Sequence, residues 1–213
     1  MNFNTFLKSI SKIKNIELPG EASQIKMSPP YRLELMERNR ELMKTAKQAA
    51  VLALFYPNEN NETYLILILR KTYKGVHSAQ VGFPGGKLEE NDSDLKMTAL
   101  RETYEEVGVQ VENVKVLKQM TPMYIPPSNF TVHPFFGITQ STPSFIKQDS
   151  EVEDLIEVSL SHFLDESIVI KTSVPTSYEV NIEVPAFKLN DHVVWGATAM
   201  MLSEVKDLLK KVL

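Results

Sequence analysis

Gly85-Gly86-Lys87-Leu88-Glu89-Glu90-Asn91-Asp92-Ser93-Asp94-Leu95-Lys96-Met97-Thr98-Ala99-Leu100-Arg101-Glu102-Thr103-Tyr104-Glu105-Glu106-Val107-Gly108-Val109 runs from a glycine pair into a strongly helical segment and stops at a further glycine. Gly108 stands where a helix C-cap is expected. On an α-helix each residue advances by about 100°, so Glu105 and Glu106 lie roughly 60° and 40° to either side of Glu102. Three carboxylates therefore share one face. Met97, Leu100, Thr103, Tyr104 and Val107 gather on the other side, where a sheet is expected to pack.

Like charges spaced i, i+3 and i+4 cost a helix a few tenths of a kcal/mol per pair. A solvated acidic face is the plain alternative, but the glycines before the cluster and the helix stop after it point to a compensating cation. Carboxylate oxygens with no neighbouring histidine or cysteine favour Mg²⁺ or Mn²⁺ over zinc. Arg101 sits beside the cluster and can orient a glutamate through a two-point hydrogen bond. The glycines let the backbone turn tightly, and a carbonyl there can complete a metal's shell.

Outward from this segment, Ala49 to Tyr56 is an apolar run ended by Pro57-Asn58-Glu59-Asn60-Asn61, and a second run extends from Tyr64 to Leu69. Two apolar runs around a polar turn predict adjacent antiparallel strands of a buried sheet. Beyond Gly108, Val109 to Leu117 and Val132 to Ile138 are strand-like, with a proline-rich loop at Pro122 to Asn129 between them. Glu151 to Leu164 combines a strand and a short helix, and Tyr178 to Leu189 alternates as one or two strands. His192 to Trp195 is a brief strand, and Ala197 to Leu213 has helical periodicity. Strands interleaved with a few helices predict an α/β or α+β sandwich with a mixed sheet.

Upstream, Phe3, Phe6, Leu7, Ile10 and Ile13 recur at helical spacing. They predict an amphipathic helix that packs on the protein body or on a second subunit, rather than on a membrane surface. Residues 15–31 read as an irregular connector because Leu18-Pro19-Gly20 and Ser28-Pro29-Pro30 interrupt structure. Leu33 to Lys47 reads as polar helix with Leu33, Met36 and Leu42 as buried contacts. The division is an N-terminal helical extension and connector, 1–45, followed by the main domain, 46–213.

The quoted segment resembles the Nudix box, in which a glycine and a spaced acidic residue precede Arg-Glu-X-X-Glu-Glu-X-Gly. Arg101-Glu102-Thr103-Tyr104-Glu105-Glu106-Val107-Gly108 matches every fixed position of that last part. The resemblance implies an α/β/α sandwich around a mixed sheet, a divalent metal held by these glutamates, and a nucleoside diphosphate derivative as substrate. The usual glutamate eight residues before the arginine is replaced by Ser93, the gap is one residue longer, and Asp92 and Asp94 flank the position. The lengthened box is similar to that of the coenzyme A pyrophosphatase branch. So is Leu67 to Arg70 followed by His77-Ser78-Ala79-Gln80-Val81-Gly82-Phe83-Pro84-Gly85-Gly86, although Gly75 stands where a basic residue is common and Ala79 where a glycine is common. The resemblance covers residues from about 48 to 202.

It implies Gly86, Glu102, Glu105 and Glu106 as metal ligands, with Arg101 orienting them. The proton acceptor is Glu105, Glu106 or Glu151. Arg70, His77 and Lys87 are candidate substrate contacts, whereas His133, His162, His192 and Trp195 read as structural. Metal-dependent hydrolysis of coenzyme A or acyl-coenzyme A is the expected activity. The alternatives are another diphosphate, such as ADP-ribose, NADH, a nucleotide sugar or a dinucleoside polyphosphate, and a Nudix-like ligand sensor that cuts nothing.

Composition narrows the field. Hydrophobic residues make up 43% and charged residues 23% of 213 residues, enough for a sizeable core. The formal net charge is −4 with scattered cations, which gives nucleic acid no basic patch. Without cysteine there is no disulfide, thiolate nucleophile or zinc–sulfur site. No apolar run reaches the roughly 20 residues of a membrane helix. The start lacks a signal-peptide pattern, so a cytoplasmic protein with a small-molecule partner is expected. The N-terminal helix is also a candidate homodimer contact.

Overall fold

The computed structural model describes residues 1–71, 80–174 and 182–213. Helix α1 (Phe3–Ser9) tightens into a 3-10 segment (Ile10–Asn15), and three short helices follow: α2 (Glu21–Ile25), α3 (Arg32–Arg38) and α4 (Arg40–Met43). Strands β1 (Lys47–Pro57), β2 (Thr63–Arg70), β3 (Val81–Gly82) and β4 (Gly85–Lys87) lead into helix α5 (Leu95–Val107). Then come β5 (Val114–Gln119), β6 (Met123–Ile125), β7 (Phe130–Thr139), β8 (Val152–Ser159), α6 (Leu160–Leu164), β9 (Val169–Val174), β10 (Ile182–Leu189), β11 (His192–Trp195) and α7 (Gly196–Lys210).

The main sheet has the order β3-β2-β1-β7-β5, with β4 also on β1, β6 on β7 and β8 on β2. It is mixed: β1 and β7 run parallel from Lys47↔Phe130 to Phe55↔Ile138, while β1 meets β2 antiparallel. Strands β9, β10 and β11 form a second, antiparallel sheet.

The apolar run of β1 serves two cores at once, because successive side chains leave a strand on opposite faces. Ala49, Ala53 and Phe55 join Leu65 and Leu67 of β2 on one face, covered by α1 and α7. Ala50, Leu52, Leu54 and Tyr56 join Ile66 and Ile68 on the other, covered by α5. The outcome is the expected sandwich of helices around a mixed sheet.

The N-terminal stripe lies inside the first core. Phe3, Phe6, Ile10 and Ile13 are buried, and the Phe6 ring sits 5.4 Å from that of Phe55. Polar bonds hold the next stretch against α7: Gln24 Nε2 donates to Glu204 at 3.1 Å, and Ser203 Oγ donates to the Ser23 carbonyl at 2.7 Å.

Several expectations are corrected. Residues 15–31 contain a helix, α2, rather than only connector. The stretch from Leu33 to Lys47 is two short helices and the start of β1, not one helix. Leu33 and Leu42 are 74% and 51% exposed and Leu35 is buried instead, since residue 33 points about 200° away from residue 35 on a helix. The strand after Gly108 begins only at Val114, following a 3-10 turn at Val111–Asn113. The proline-rich loop contains the short strand β6. Part of the expected strand from Tyr178 lies outside the described residues.

Candidate active site

Two caps fix α5. The Asp94 carboxylate accepts from the Met97 amide at 2.7 Å, and Gly108, in the left-handed conformation at φ 78°, donates to the Tyr104 carbonyl at 2.8 Å. The buried arc of the helix runs from Glu106 through Thr103 to Leu100. Tyr104 falls outside that arc and is exposed, which corrects its assignment to the sheet side.

Strand β4 lies beneath this helix, paired with β1 as Ala50↔Gly86 and Val51↔Gly85. The two glycines do different work. A Cβ on Gly85 would lie 2.4 Å from the Ala50 carbonyl and 2.6 Å from the Val51 Cα, so the close packing of β4 on β1 demands glycine there. A Cβ on Gly86 would lie 2.3 to 2.6 Å from the carboxylate atoms of Glu102. Bare backbone at residue 86 thus leaves the space that the Glu102 carboxylate fills.

Glu102, Glu105 and Glu106 differ sharply in setting. Their side chains are 13%, 48% and 1% exposed. Glu106 Oε2 accepts from the Gly85 amide at 2.7 Å, and Arg70, whose Nη1 donates to the Gly85 carbonyl, brings its Nη2 within 3.2 Å of Glu106 Oε1. That contact has ion-pair distance without hydrogen-bond alignment, so Oε1 is buried with no hydrogen-bond partner among the described residues. Burial, reinforced by the fields of Glu102 and Glu151, pushes the Glu106 carboxyl up to about 7 against the pull of Arg70 and the Gly85 amide. Burial raises Glu102 as well, against the pull of Arg101.

Arg101 organises the rest. Its Nε and Nη2 donate to the two oxygens of Asp92 at 2.9 and 3.0 Å, and Nη2 also reaches the Lys87 carbonyl at 3.1 Å. Its Nη1 donates to Glu102 Oε1 at 3.1 Å and Glu105 Oε2 at 2.9 Å. Asp92, which spacing alone left without a role, is the residue that takes the two-point bond of Arg101.

Glu151 approaches from the turn before β8. The segment leading to it is tied to the end of α5, since the Ile146 and Gln148 amides donate to the Val107 and Glu106 carbonyls at 3.0 and 3.1 Å. Its field reaches both Glu102 and Glu106. His77 lies outside the described residues. His133 bonds Gln48 at 2.8 Å, and His162 accepts from the Asn190 amide at 3.1 Å.

A cavity of about 380 Å³ opens beside β4, lined by Arg70, Gly85, Gly86 and Lys87. Trp195, half-buried, is on its wall, so it belongs to this space rather than only to the core. Tyr31, Arg32 and Leu35 of the N-terminal segment line it too, a contribution that no motif announces.

No three acidic or histidine side chains form a closed metal cage among the described residues; the arginines hold the carboxylates instead. The donor set still fits a hard divalent cation. It is all carboxylate and carbonyl oxygen, Glu106 Oε1 is an orphaned buried acceptor, and the bare backbone of Gly86 lies directly against the Glu102 carboxylate.

A family model described as the NUDIX domain matches residues 46–173. The peroxisomal coenzyme A diphosphatase ndx-8 of Caenorhabditis elegans is 27% identical over 157 residues, covering 73% of this chain and 65% of that protein. The mitochondrial coenzyme A diphosphatase NUDT8 of Homo sapiens is 32% identical over 136 residues, covering 63% of this chain and 58% of that protein. The match thus spans less than two thirds of either diphosphatase. The crystal structure of a Nudix hydrolase from M. smegmatis, RenU, aligns with a TM-score of 0.52 over 79% of this chain and 88% of that one, at 13% identity, a likeness of fold.

Proposed function

Since the chain belongs to the Nudix family, we propose that it is a metal-dependent pyrophosphohydrolase that cuts the diphosphate bond of coenzyme A or an acyl-coenzyme A. The observation that carries this reading is the carboxylate face of α5 set against the bare backbone of Gly86, at the wall of a cavity large enough for part of such a ligand. The lengthened box and the two diphosphatase relatives support the substrate class. We also propose a cytoplasmic location, to be read by cell fractionation; no helix among the described residues is long and apolar enough to cross a membrane.

A diphosphate resists attack because its negative oxygens repel a nucleophile. Glu102, Glu105 and Glu106, with the Gly86 carbonyl, would hold Mg²⁺ or Mn²⁺, which supplies charge neutralisation at the diphosphate and acidifies water. Arg101 keeps Glu102 and Glu105 in one orientation, so little reorganisation is needed when substrate arrives. Water adds to one phosphorus, the bridging P–O bond breaks, and two phosphomonoesters leave. The released proton passes to Glu105, Glu106 or Glu151. Arg70 and Lys87 stand on the cavity wall as substrate contacts. With coenzyme A, the products are 4′-phosphopantetheine and a 3′-phosphoadenosine 5′-phosphate.

The test is a product screen. Protein with Mg²⁺ or Mn²⁺ is offered coenzyme A, ADP-ribose, NADH and dinucleoside polyphosphates, and products are identified by mass spectrometry. Coenzyme A is expected to be cleaved fastest. If it survives while another diphosphate is consumed, the substrate assignment is wrong. Glu105→Gln is expected to lower turnover by orders of magnitude with the circular dichroism spectrum unchanged; near-normal turnover would remove Glu105 from the metal site.

A further inference from the structure

The chain has five arginines, and four of them are matched to carboxylates: Arg38 to Glu34, Arg40 to Glu37, Arg70 to Glu106 and Arg101 to Asp92. Arg32 is the exception. It lies in the first turn of α3, half-buried, and it lines the same cavity as Arg70, Gly86 and Lys87. Its Nη2 donates to the Tyr124 carbonyl at 3.0 Å, yet among the described residues no carboxylate comes within ion-pair distance of it. Burial lowers its pKa and the field of Glu21 only partly opposes this, so the guanidinium has lost more in water than Glu21 returns.

A guanidinium stays charged at any physiological pH, and a half-buried charge with no carboxylate at ion-pair distance is costly. It presents a planar fork of donors, of which one nitrogen is used by Tyr124. The surroundings select what would complete it. Ile125, Phe130, Trp195 and Met201 make the cavity wall largely apolar, so the missing partner arrives on a ligand with an apolar or aromatic body. Arg70 is already neutralised by Glu106 beside the proposed reaction site. The surplus positive charge on this wall is carried by exposed Lys87 and half-buried Arg32, and of the two only Arg32 has given up much of its water and lies on the N-terminal segment, outside residues 46–173 matched by the family model.

We infer that Arg32 binds a phosphomonoester carried by the diphosphate substrate, separate from the bond that is cut, so that the N-terminal segment selects substrates bearing this extra phosphate. This rests on the proposed pyrophosphohydrolase reading. Arg32 touches no reacting atom in this scheme; it sets specificity.

The test uses the full chain and its Arg32→Gln and Arg32→Lys variants, with thermal melts as the folding control. Titration calorimetry without hydrolysis compares adenosine 3′,5′-bisphosphate with adenosine 5′-monophosphate, which differ by one phosphomonoester. Unaltered protein is expected to prefer the bisphosphate at least about tenfold, Arg32→Gln to lose that preference, and Arg32→Lys to keep part of it, since lysine keeps the charge but not the fork. In turnover, Arg32→Gln is expected to raise KM for coenzyme A about tenfold at unchanged kcat, and to leave 3′-dephospho-coenzyme A unaffected. Equal binding of the two nucleotides by the unaltered protein overturns the inference, as does a preference that survives in Arg32→Gln. A lost preference for a carboxylate-ended acyl chain, with the phosphate preference intact, overturns it in favour of that anion. If the bisphosphate preference depends on Arg32 but neither coenzyme is cut, the anion site stands and the proposed activity falls.

Discussion

Arg101 grips Asp92 through two parallel hydrogen bonds, Nε to Oδ1 at 2.9 Å and Nη2 to Oδ2 at 3.0 Å, with the Asp92 side chain only 4% exposed. The pair closes the lengthened loop between β4 and α5 onto the helix. The same guanidinium then reaches Glu102, Glu105 and the Lys87 carbonyl, so loop, strand end and carboxylate face are fixed by one side chain. Asp92 also accepts from the Glu89 amide at 3.0 Å and the Thr98 hydroxyl at 2.9 Å. A buried carboxylate so fully satisfied is an anchor for the arginine rather than a free ligand.

Asp92→Asn keeps the size of the side chain but removes the charge and one acceptor. Arg101 would then be held less firmly, and Glu102 and Glu105 would lose their common orientation. Loss of an orienting partner of this kind lowers activity by about 10–100-fold. Stability should fall by roughly 1–3 kcal/mol, the range for a hydrogen bond to a charged group. Steady-state turnover with Mg²⁺ and a urea melt check both; unchanged turnover would leave Asp92 as loop packing alone.

Gly85 and Gly86 are adjacent, yet alanine should affect them in separate ways. At Gly85, which sits at φ 152°, the new Cβ meets backbone that cannot give way, and destabilisation of several kcal/mol is expected. At Gly86 the Cβ meets the far end of the Glu102 side chain, which can swing aside. Gly86→Ala should therefore melt within a few degrees of the unaltered protein while activity falls by about 100-fold or more, because a misplacement of about 1 Å suffices for that. Paired melting and turnover measurements separate the two, and a reversed pattern would refute the assignment of roles.

What the sequence makes legible here is what is encoded locally. Helix α5, its Asp94 and Gly108 ends and its acidic face depend on residues within a few turns of one another. The β1–β2 pair is legible because a polar turn joins two apolar runs. The parallel pairing of β1 with β7 joins Lys47 to Phe130, and no local pattern carries it. The helical wheel also treats the sheet as facing one fixed direction. The actual buried arc is rotated toward Glu106, which hides that carboxylate and exposes Tyr104. Asp92 was visible only as a neighbour of Ser93, since its role depends on how a longer loop folds back. Arg32 carries no signal at all: its meaning comes from a cavity assembled from distant segments.

The same limit applies to the first residues, which periodicity shows to be amphipathic without saying what they cover. Phe6 is fully buried against Phe55, whose ring stacks on Phe136 at 4.9 Å. Phe6→Ala should therefore cost about 3–5 kcal/mol, as for an aromatic in a closed core. That corresponds to a fall in Tm on the order of 10 °C for a chain of this size. A detachable appendage would instead show a main unfolding transition that does not move, which calorimetry would reveal.

Protonation gives the last prediction, and its sign follows from which state binds the proton more tightly. Glu106 has a folded pKa of about 7, above the usual 4.5, chiefly because burial disfavours its charge. The folded state therefore holds this proton more tightly than the unfolded chain. Its contribution is fully present below about pH 4.5 and is lost as pH rises through about 7. Asp92 behaves oppositely: Arg101 holds it down to about 2, so its contribution is present above pH 3.8 and is lost only as pH falls through about 2. Of these two, only the Glu106 effect changes between pH 5 and 8, and through it metal-free protein should lose Tm across that interval. Glu106→Gln retains an acceptor for the Gly85 amide but cannot ionise, so its Tm should vary less with pH. A divalent cation requires the ionised carboxylate, so Mg²⁺ should raise Tm more at pH 8 than at pH 5. Differential scanning fluorimetry of both proteins, with and without Mg²⁺, tests this directly. Parallel Tm-against-pH curves for the two proteins would show that Glu106 is not the group responsible.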